Sequence, residues 1–105
     1  MTEIRLGATE EKTEITVMGH CNAGRINGFD LCCCAVSMLT FTLMETLSKL
    51  NLDSYHASYG GGWCYISFSN CSQMMSKAKT AIDTIMNGYE MLEKSYPANI
   101  NIIKD

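Results

Sequence analysis

A run of adjacent cysteines and one upstream histidine are the residues of this chain best suited to chemistry. Cys32, Cys33 and Cys34 follow shortly after Asp30, and His20 precedes them by one short loop. A cysteine reacts as its thiolate, and a histidine within hydrogen-bond reach can take the thiol proton, which is the pairing used in covalent acyl transfer. The spacing therefore predicts a cysteine–histidine dyad, provided that the loop brings His20 back to the cysteines.

Helical phase separates the three cysteines. Asp30 is a good N-cap, and the apolar pattern predicts a helix from there to about residue 51. Cys32 begins the stripe that should face a sheet, whereas Cys34 falls on the opposite side. Cys33 lies at the border between the two, so it is the cysteine best placed to react. The core stripe comprises Cys32, Val36, Leu39, Leu43, Leu47 and Leu50.

The start of a helix also favours negative charge. Unpaired backbone N–H groups and the positive end of the helix dipole should lower the pKa of Cys33, and the same N–H groups could form an oxyanion hole. Each residue has a simpler explanation: Cys33 as a packed side chain, and His20 as a turn residue. Asp30 either orients His20 or, as we favour, only caps the helix. Ser37 is either a polar neighbour of the site or an ordinary helix serine.

Composition limits the classes of function. The 105 residues carry a net charge of −3 without a basic stripe, which argues against direct nucleic-acid binding. We predict a single domain over residues 1–105. The N-terminus lacks a signal-peptide pattern and no apolar stretch approaches the roughly 18 residues of a membrane span, so we expect a cytoplasmic protein. In that compartment the six cysteines are expected to be thiols, metal ligands or a nucleophile rather than disulfides, and the absence of a C-x-x-C pair disfavours zinc.

The remaining elements predict an α+β fold. Alternating and helical periodicities give the order β-β-α-β-β-α-β, a two-layer sandwich with two helices on one face of a five-stranded, mostly antiparallel sheet. The outer face of the first helix, formed by Cys34, Met38 and Phe41, would stay in water in a monomer and suggests a dimer interface. A loop over residues 21–29 should be mobile. The expected strands are 2–7, 13–19, 54–59, 63–68 and 100–103, and the second helix is 72–95.

These motifs resemble a known signature. Gly19-His20, a glycine-containing loop and the segment from Asp30 to Ser37 are similar to the bacterial ribosomal-processing cysteine protease family, Prp. That family shows Gly-His-Ala, a glycine-rich loop, then Asp, two aliphatic residues, Cys, two small residues and, four positions after the Cys, Ser. Counting forward from Asp30 or back from Ser37 places the family's nucleophile at Cys33, and His20 matches its catalytic histidine. Gly61-Gly62 and residues 96–102 also resemble the family.

The resemblance implies a specific activity. Prp enzymes are cysteine endopeptidases that remove an N-terminal extension from the large-subunit ribosomal protein numbered twenty-seven, cutting after a pair of aromatic residues. They act as homodimers with a mobile loop between histidine and cysteine, and no metal or organic cofactor is implied. Two alternatives remain at this point. One is a catalytically inactive paralogue that binds the ribosomal protein or a peptide as a dimer, and the other is a metal or redox module using His20, Cys21 and Cys71.

Overall fold

The computed structural model describes residues 1–105 as five strands and two helices in the predicted order. The strands pair in the order β3-β4-β2-β1-β5, with β5 parallel to β1 and every other pair antiparallel. The α+β prediction is confirmed. The elements are β1 Thr2–Ala8, β2 Lys12–Met18, α1 Leu31–Ser48, β3 His56–Gly60, β4 Trp63–Ser69, α2 Met75–Ser95 and β5 Ile100–Lys104.

Strand β2 lies at the centre of the sheet and shows why one face is covered. Thr13, Ile15 and Val17 are buried, while Glu14 and Thr16 between them are partly exposed. Successive side chains of a strand point to opposite faces, so the buried set faces the helices. Both helices therefore pack on the same face, as the alternation in the sequence predicts.

The helix bounds differ from the predicted ones at three ends. Asp30 caps α1 from outside the helix, and α1 ends at Ser48 because the chain turns through Asn51, whose φ is +52°. Helix α2 begins at Met75 rather than at 72. Ser72 belongs to the preceding turn, where its hydroxyl accepts a hydrogen bond from the Asp53 N–H at 2.8 Å.

The core stripe of α1 is confirmed with one addition. Thr40 is also buried, and its Oγ1 lies 2.6 Å from the hydroxyl of Tyr89 on α2. This hydrogen bond satisfies both polar groups at the contact between the two helices. Leu39 and Leu50, at the edges of the stripe, are half-buried.

The expectation that no apolar stretch approaches the length of a membrane span was wrong for α1. The helix has 18 residues with a mean hydropathy of 1.6, so by length and composition alone it is long and apolar enough to cross a membrane. The stripe from Cys32 to Leu47 nevertheless packs into the core of this domain. The apolar character of the other face comes from exposed residues such as Met38 and Phe41.

Candidate active site

The three adjacent cysteines lie in three different environments, as helical phase predicts. Cys32 is 1% exposed and belongs to the core, Cys34 is exposed, and Cys33 is intermediate. A partly accessible thiol can meet a substrate while its neighbours still hold its orientation. Cys33 is therefore the one cysteine of the cluster that combines both properties.

His20 and Cys33 lie on the wall of one cavity of about 140 Å³. A wider groove of about 660 Å³ opens on the other side of the same two residues, along the loop that joins them. His20 and Cys33 thus lie where a small cavity meets a wider groove. Ser37, one turn after Cys33, lines the cavity with them; the remaining lining residues are Thr2, Val17, Gly19, Val36, Thr40, Phe41, Tyr59, Gly60, Gly62, Trp63 and Cys64.

The imidazole of His20 packs against a bare glycine. Gly62, in the turn between β3 and β4, has φ +80°, and a Cβ added there would lie 2.8 Å from His20 Nε2. The Gly19 N–H donates to the Gly62 carbonyl at 2.7 Å, which ties the end of β2 to this turn. Gly62 therefore leaves the space that the histidine ring occupies.

Gly19 meets a stricter requirement. Its φ is +93°, and an added Cβ would collide with the backbone carbonyl oxygen of Met1. A left-handed conformation together with a backbone collision leaves glycine as the only residue that fits. Gly19 thus serves the site by letting the chain turn sharply before His20.

The thiol of Cys33 is held by a backbone group from the loop. Its Sγ accepts a hydrogen bond from the Cys21 N–H at 3.2 Å. Burial raises the pKa of the Cys33 thiol, the Cys21 N–H opposes that shift, and the Cys21 thiol and then the charge of Asp30 add to it. The expectation of a lowered pKa was wrong because desolvation and a nearby carboxylate act on Cys33 in addition to the helix terminus.

Asp30 caps α1 and fastens the loop. Its Oδ1 accepts from the Cys33 N–H at 3.0 Å and its Oδ2 from the Ala23 N–H at 3.0 Å, and no hydrogen bond joins it to His20. The capping interpretation is therefore the one that the geometry supports. The expected oxyanion hole needs revision, because the Cys33 N–H that it would use already donates to Asp30.

The cap should make stability depend on pH at the acid end. Hydrogen bonds from the Cys33 N–H lower the pKa of Asp30, with a further contribution from Ala23. A lowered carboxyl pKa stabilises the fold above the unfolded-state value of about 3.9, and this contribution is lost as pH falls through the folded-state pKa. We expect the free energy of unfolding of wild type to exceed that of Asp30→Asn at pH 7. The difference should shrink below about pH 4 in urea titrations. A difference that stays constant down to pH 2 would contradict this origin.

The residues of the metal or redox alternative are not brought together. Cys21 is buried with its Sγ 3.2 Å from Thr2 Oγ1, whereas Cys71 is exposed beyond the far end of β4 from Gly62 and His20. The length of β4 separates them. No group of three or more His, Cys, Asp or Glu side chains is arranged to hold a metal ion.

Three residues at the site were not predicted as such. Gly62 was noted only as part of the Gly61-Gly62 pair that resembles the family, and Thr2 and Asn99 were assigned no role. The contact of Thr2 with Cys21 spans 19 positions in the chain, and that of Asn99 with the Cys21 carbonyl spans 78. The only sequence signal for Asn99 was its place in the segment 96–102 that resembles the Prp ending.

Comparison with known proteins gives a family and a fold. The family described as cysteine protease Prp matches residues 1–101. A comparison with curated protein sequences gives no match.

Solved structures cover the whole chain. An essential ribosomal processing protease Prp from S. aureus, in complex with a covalently linked product peptide, superposes with a TM-score of 0.82 at 21% identity, covering 100% of both chains. The same S. aureus protease with a substrate peptide gives a TM-score of 0.77 at 18% identity, again over 100% of both chains. A Streptococcus mutans protein gives 0.72 at 23% identity, over 100% of this chain and 96% of the other.

Proposed function

This chain belongs to the cysteine protease Prp family and is therefore a cysteine peptidase, and we propose that Cys33 and His20 are its catalytic dyad. The observation that carries the proposal is that both side chains line one cavity, with the Cys21 N–H donating to the Cys33 sulfur. A nucleophile, a base and a backbone donor thus meet at one surface. Gly19 and Asp30 support them through the backbone, and Ser37 lies on the cavity wall one turn further along α1.

The proposed reaction is acyl transfer through a thioester. His20 takes the proton of Cys33, the thiolate attacks the scissile carbonyl, and the protonated imidazole gives its proton to the leaving amine. Water, deprotonated by the same imidazole, then releases the acyl group. Burial raises the pKa of the resting Cys33 thiol, so proton transfer to His20 should accompany substrate binding rather than precede it.

The cavity lining suits an apolar peptide. Phe41 and Tyr59 form an edge-to-face pair with ring centroids 5.1 Å apart, and Trp63 lines the same cavity. Such aromatic surfaces favour other aromatic side chains. We propose as substrate the precursor of the large-subunit ribosomal protein numbered twenty-seven, cut in the cytoplasm after a pair of aromatic residues in its N-terminal extension. The S. aureus relative is a ribosomal processing protease whose structures hold substrate and product peptides, which supports this choice.

The test is direct. The purified protein is mixed with a peptide that spans the extension and the first residues of the mature ribosomal protein, and the products are weighed by mass spectrometry. We expect two fragments whose masses add up to the peptide plus one water, with the cut after the aromatic pair. The same peptide with both aromatic residues changed to alanine is the control and should survive. Intact wild-type peptide after prolonged incubation would favour the alternative of a peptide-binding paralogue.

We also propose a homodimer through the outer face of α1. Met38 is 69% exposed and Phe41 46% exposed, and Cys34 beside them is exposed as well. An apolar face of this kind is more stable when it is covered by a second copy of the chain. Sedimentation equilibrium should give twice the chain mass for wild type and a weaker dimer for Met38→Lys. A wild-type monomer with Phe41 open to solvent would contradict the proposal.

A further inference from the structure

A buried threonine holds the chain on both sides of His20. Thr2, the first residue of β1, is 1% exposed, and its Oγ1 donates to the Gly19 carbonyl at 3.2 Å. The same oxygen lies 3.2 Å from Cys21 Sγ. One hydroxyl therefore contacts the residue before the histidine and the residue after it.

Asn99 holds the same segment from the side of β5. Its Nδ2 donates to the Cys21 carbonyl at 2.9 Å and to the Asn22 carbonyl at 3.3 Å. The Thr2 N–H in turn donates to the Asn99 carbonyl at 2.9 Å, where β1 and β5 begin their parallel pairing. Thr2 and Asn99 are thus linked to each other, and together they fix residues 19–22.

We propose that Thr2 and Asn99 are positioning residues of the peptidase, which hold residues 19–22 so that the Cys21 N–H meets the Cys33 sulfur and His20 faces the cavity. The peptide unit that carries the Cys21 N–H joins His20 to Cys21. The unit before it carries the Gly19 carbonyl that Thr2 binds, and the unit after it carries the Cys21 carbonyl that Asn99 binds. Neither side chain needs to touch the substrate for this. The expected effect of Thr2 and Asn99 on peptide cleavage rests on the proposed function, but their expected effect on the titration of the Cys33 thiol does not.

The opposite end of the sheet supplies a matched comparison. Thr13 is also a buried strand threonine, and its Oγ1 donates to Asn70 Oδ1 at 2.6 Å. Asn70 Nδ2 donates to the Thr9 carbonyl at 2.7 Å. At each end of the sheet, a threonine and an asparagine thus hold a loop by hydrogen bonds. Only the Thr2 and Asn99 pair contacts residues 19–22 of the site.

The consequence is measurable at the sulfur. A backbone N–H that donates to Cys33 Sγ favours the thiolate over the thiol. The other titratable groups around Cys33 are Asp30, Cys21, Cys32 and, across the cavity, His20, Tyr59 and Cys64. Substitutions at positions 2 and 99 replace none of these groups. Because Thr2 Oγ1 also contacts the Cys21 thiol, Asn99→Ala, which removes only contacts with the Cys21 and Asn22 carbonyls, is the cleaner report of lost positioning.

The experiment measures the rate of Cys33 alkylation by iodoacetamide against pH, in a background in which the exposed Cys34 and Cys71 are serine. We expect Thr2→Val and Asn99→Ala each to move the midpoint upward by about one pH unit and to slow alkylation at pH 7 about tenfold, the scale of one hydrogen bond to a charged group. Thr13→Val and Asn70→Ala should leave the midpoint unchanged. Thr2→Ser, which keeps the hydroxyl, should restore it.

Peptide cleavage then separates this proposal from the proposed function. We expect Thr2→Val and Asn99→Ala to lower kcat with KM nearly unchanged. Thr13→Val, even with an equal loss of stability, should leave both kcat and KM unchanged. If wild type does not cleave the peptide, the proposed function fails while alkylation still tests the positioning. Site variants whose midpoints match those of their controls would overturn the proposal. Should Thr2→Val not fold, Asn99→Ala decides alone, because Asn99 lies outside the buried core.

Discussion

Cys33→Ser should abolish peptide cleavage, with a fall in kcat of at least about 10³-fold, because Cys33 is the one cysteine that lines both the cavity and the groove. Cys32 is buried in the core and Cys34 points to solvent. Serine keeps nearly the volume of cysteine, so the fold should survive. The measurement is the rate of product formation by mass spectrometry, with the unfolding midpoint checked in parallel.

Cys34→Ser is the matched control for this result. It makes the same chemical change one position along the same helix, at an exposed side chain, and should leave kcat within about twofold of wild type, as surface changes usually do. Retained cleavage by Cys33→Ser would show that the nucleophile is elsewhere. His20→Asn should lower kcat by about 10²- to 10⁴-fold, the usual contribution of a general base. If it does so only at low pH, His20 is not the base.

Much of the fold follows from local patterns in the sequence. The alternation in β2 fixes which face of the sheet is covered, and the stripe from Cys32 to Leu47 fixes the face of α1 that packs on it. The end of α1 was placed too late because Leu50 continues the apolar stripe. The turn at Asn51, with its left-handed backbone, ends the helix there, and the apolar spacing does not reveal it.

The proposed reacting groups were predictable from short segments. Phase along α1 separates Cys33 from its neighbours, and the short loop after β2 leaves His20 on the wall of the cavity that Cys33 also lines. The pKa direction of Cys33 was wrong because burial and the charge of Asp30 depend on how the segments pack. Thr2 and Asn99 were missed for the same reason, because their contacts cross from β1 and β5 to the loop.

Gly62 should be the most sensitive position that carries no reactive group. Gly62→Ala places a Cβ 2.8 Å from His20 Nε2, at a φ of +80°. The backbone term should lower stability by about 1–2 kcal/mol, the usual penalty of a left-handed residue with a side chain. The contact forces the imidazole away from the cavity wall, and a displacement of about 1 Å at a reacting group can lower the rate about 10²-fold. We therefore expect kcat to fall far more than the loss of stability explains.

Gly61→Ala isolates that effect, because it lies in the same turn and an added Cβ there meets nothing within 4 Å. Its cleavage rate should stay near that of wild type, while Gly62→Ala stays folded at the assay temperature and cleaves slowly. The Gly62 carbonyl also accepts the Gly19 N–H, so a loss of that hydrogen bond would appear as faster amide exchange at Gly19. If Gly62→Ala cleaves slowly while amide exchange at Gly19 stays as slow as in wild type, the defect comes from the displaced imidazole alone. Full activity in Gly62→Ala would mean that the histidine position seen against this glycine is not the one that cleavage requires.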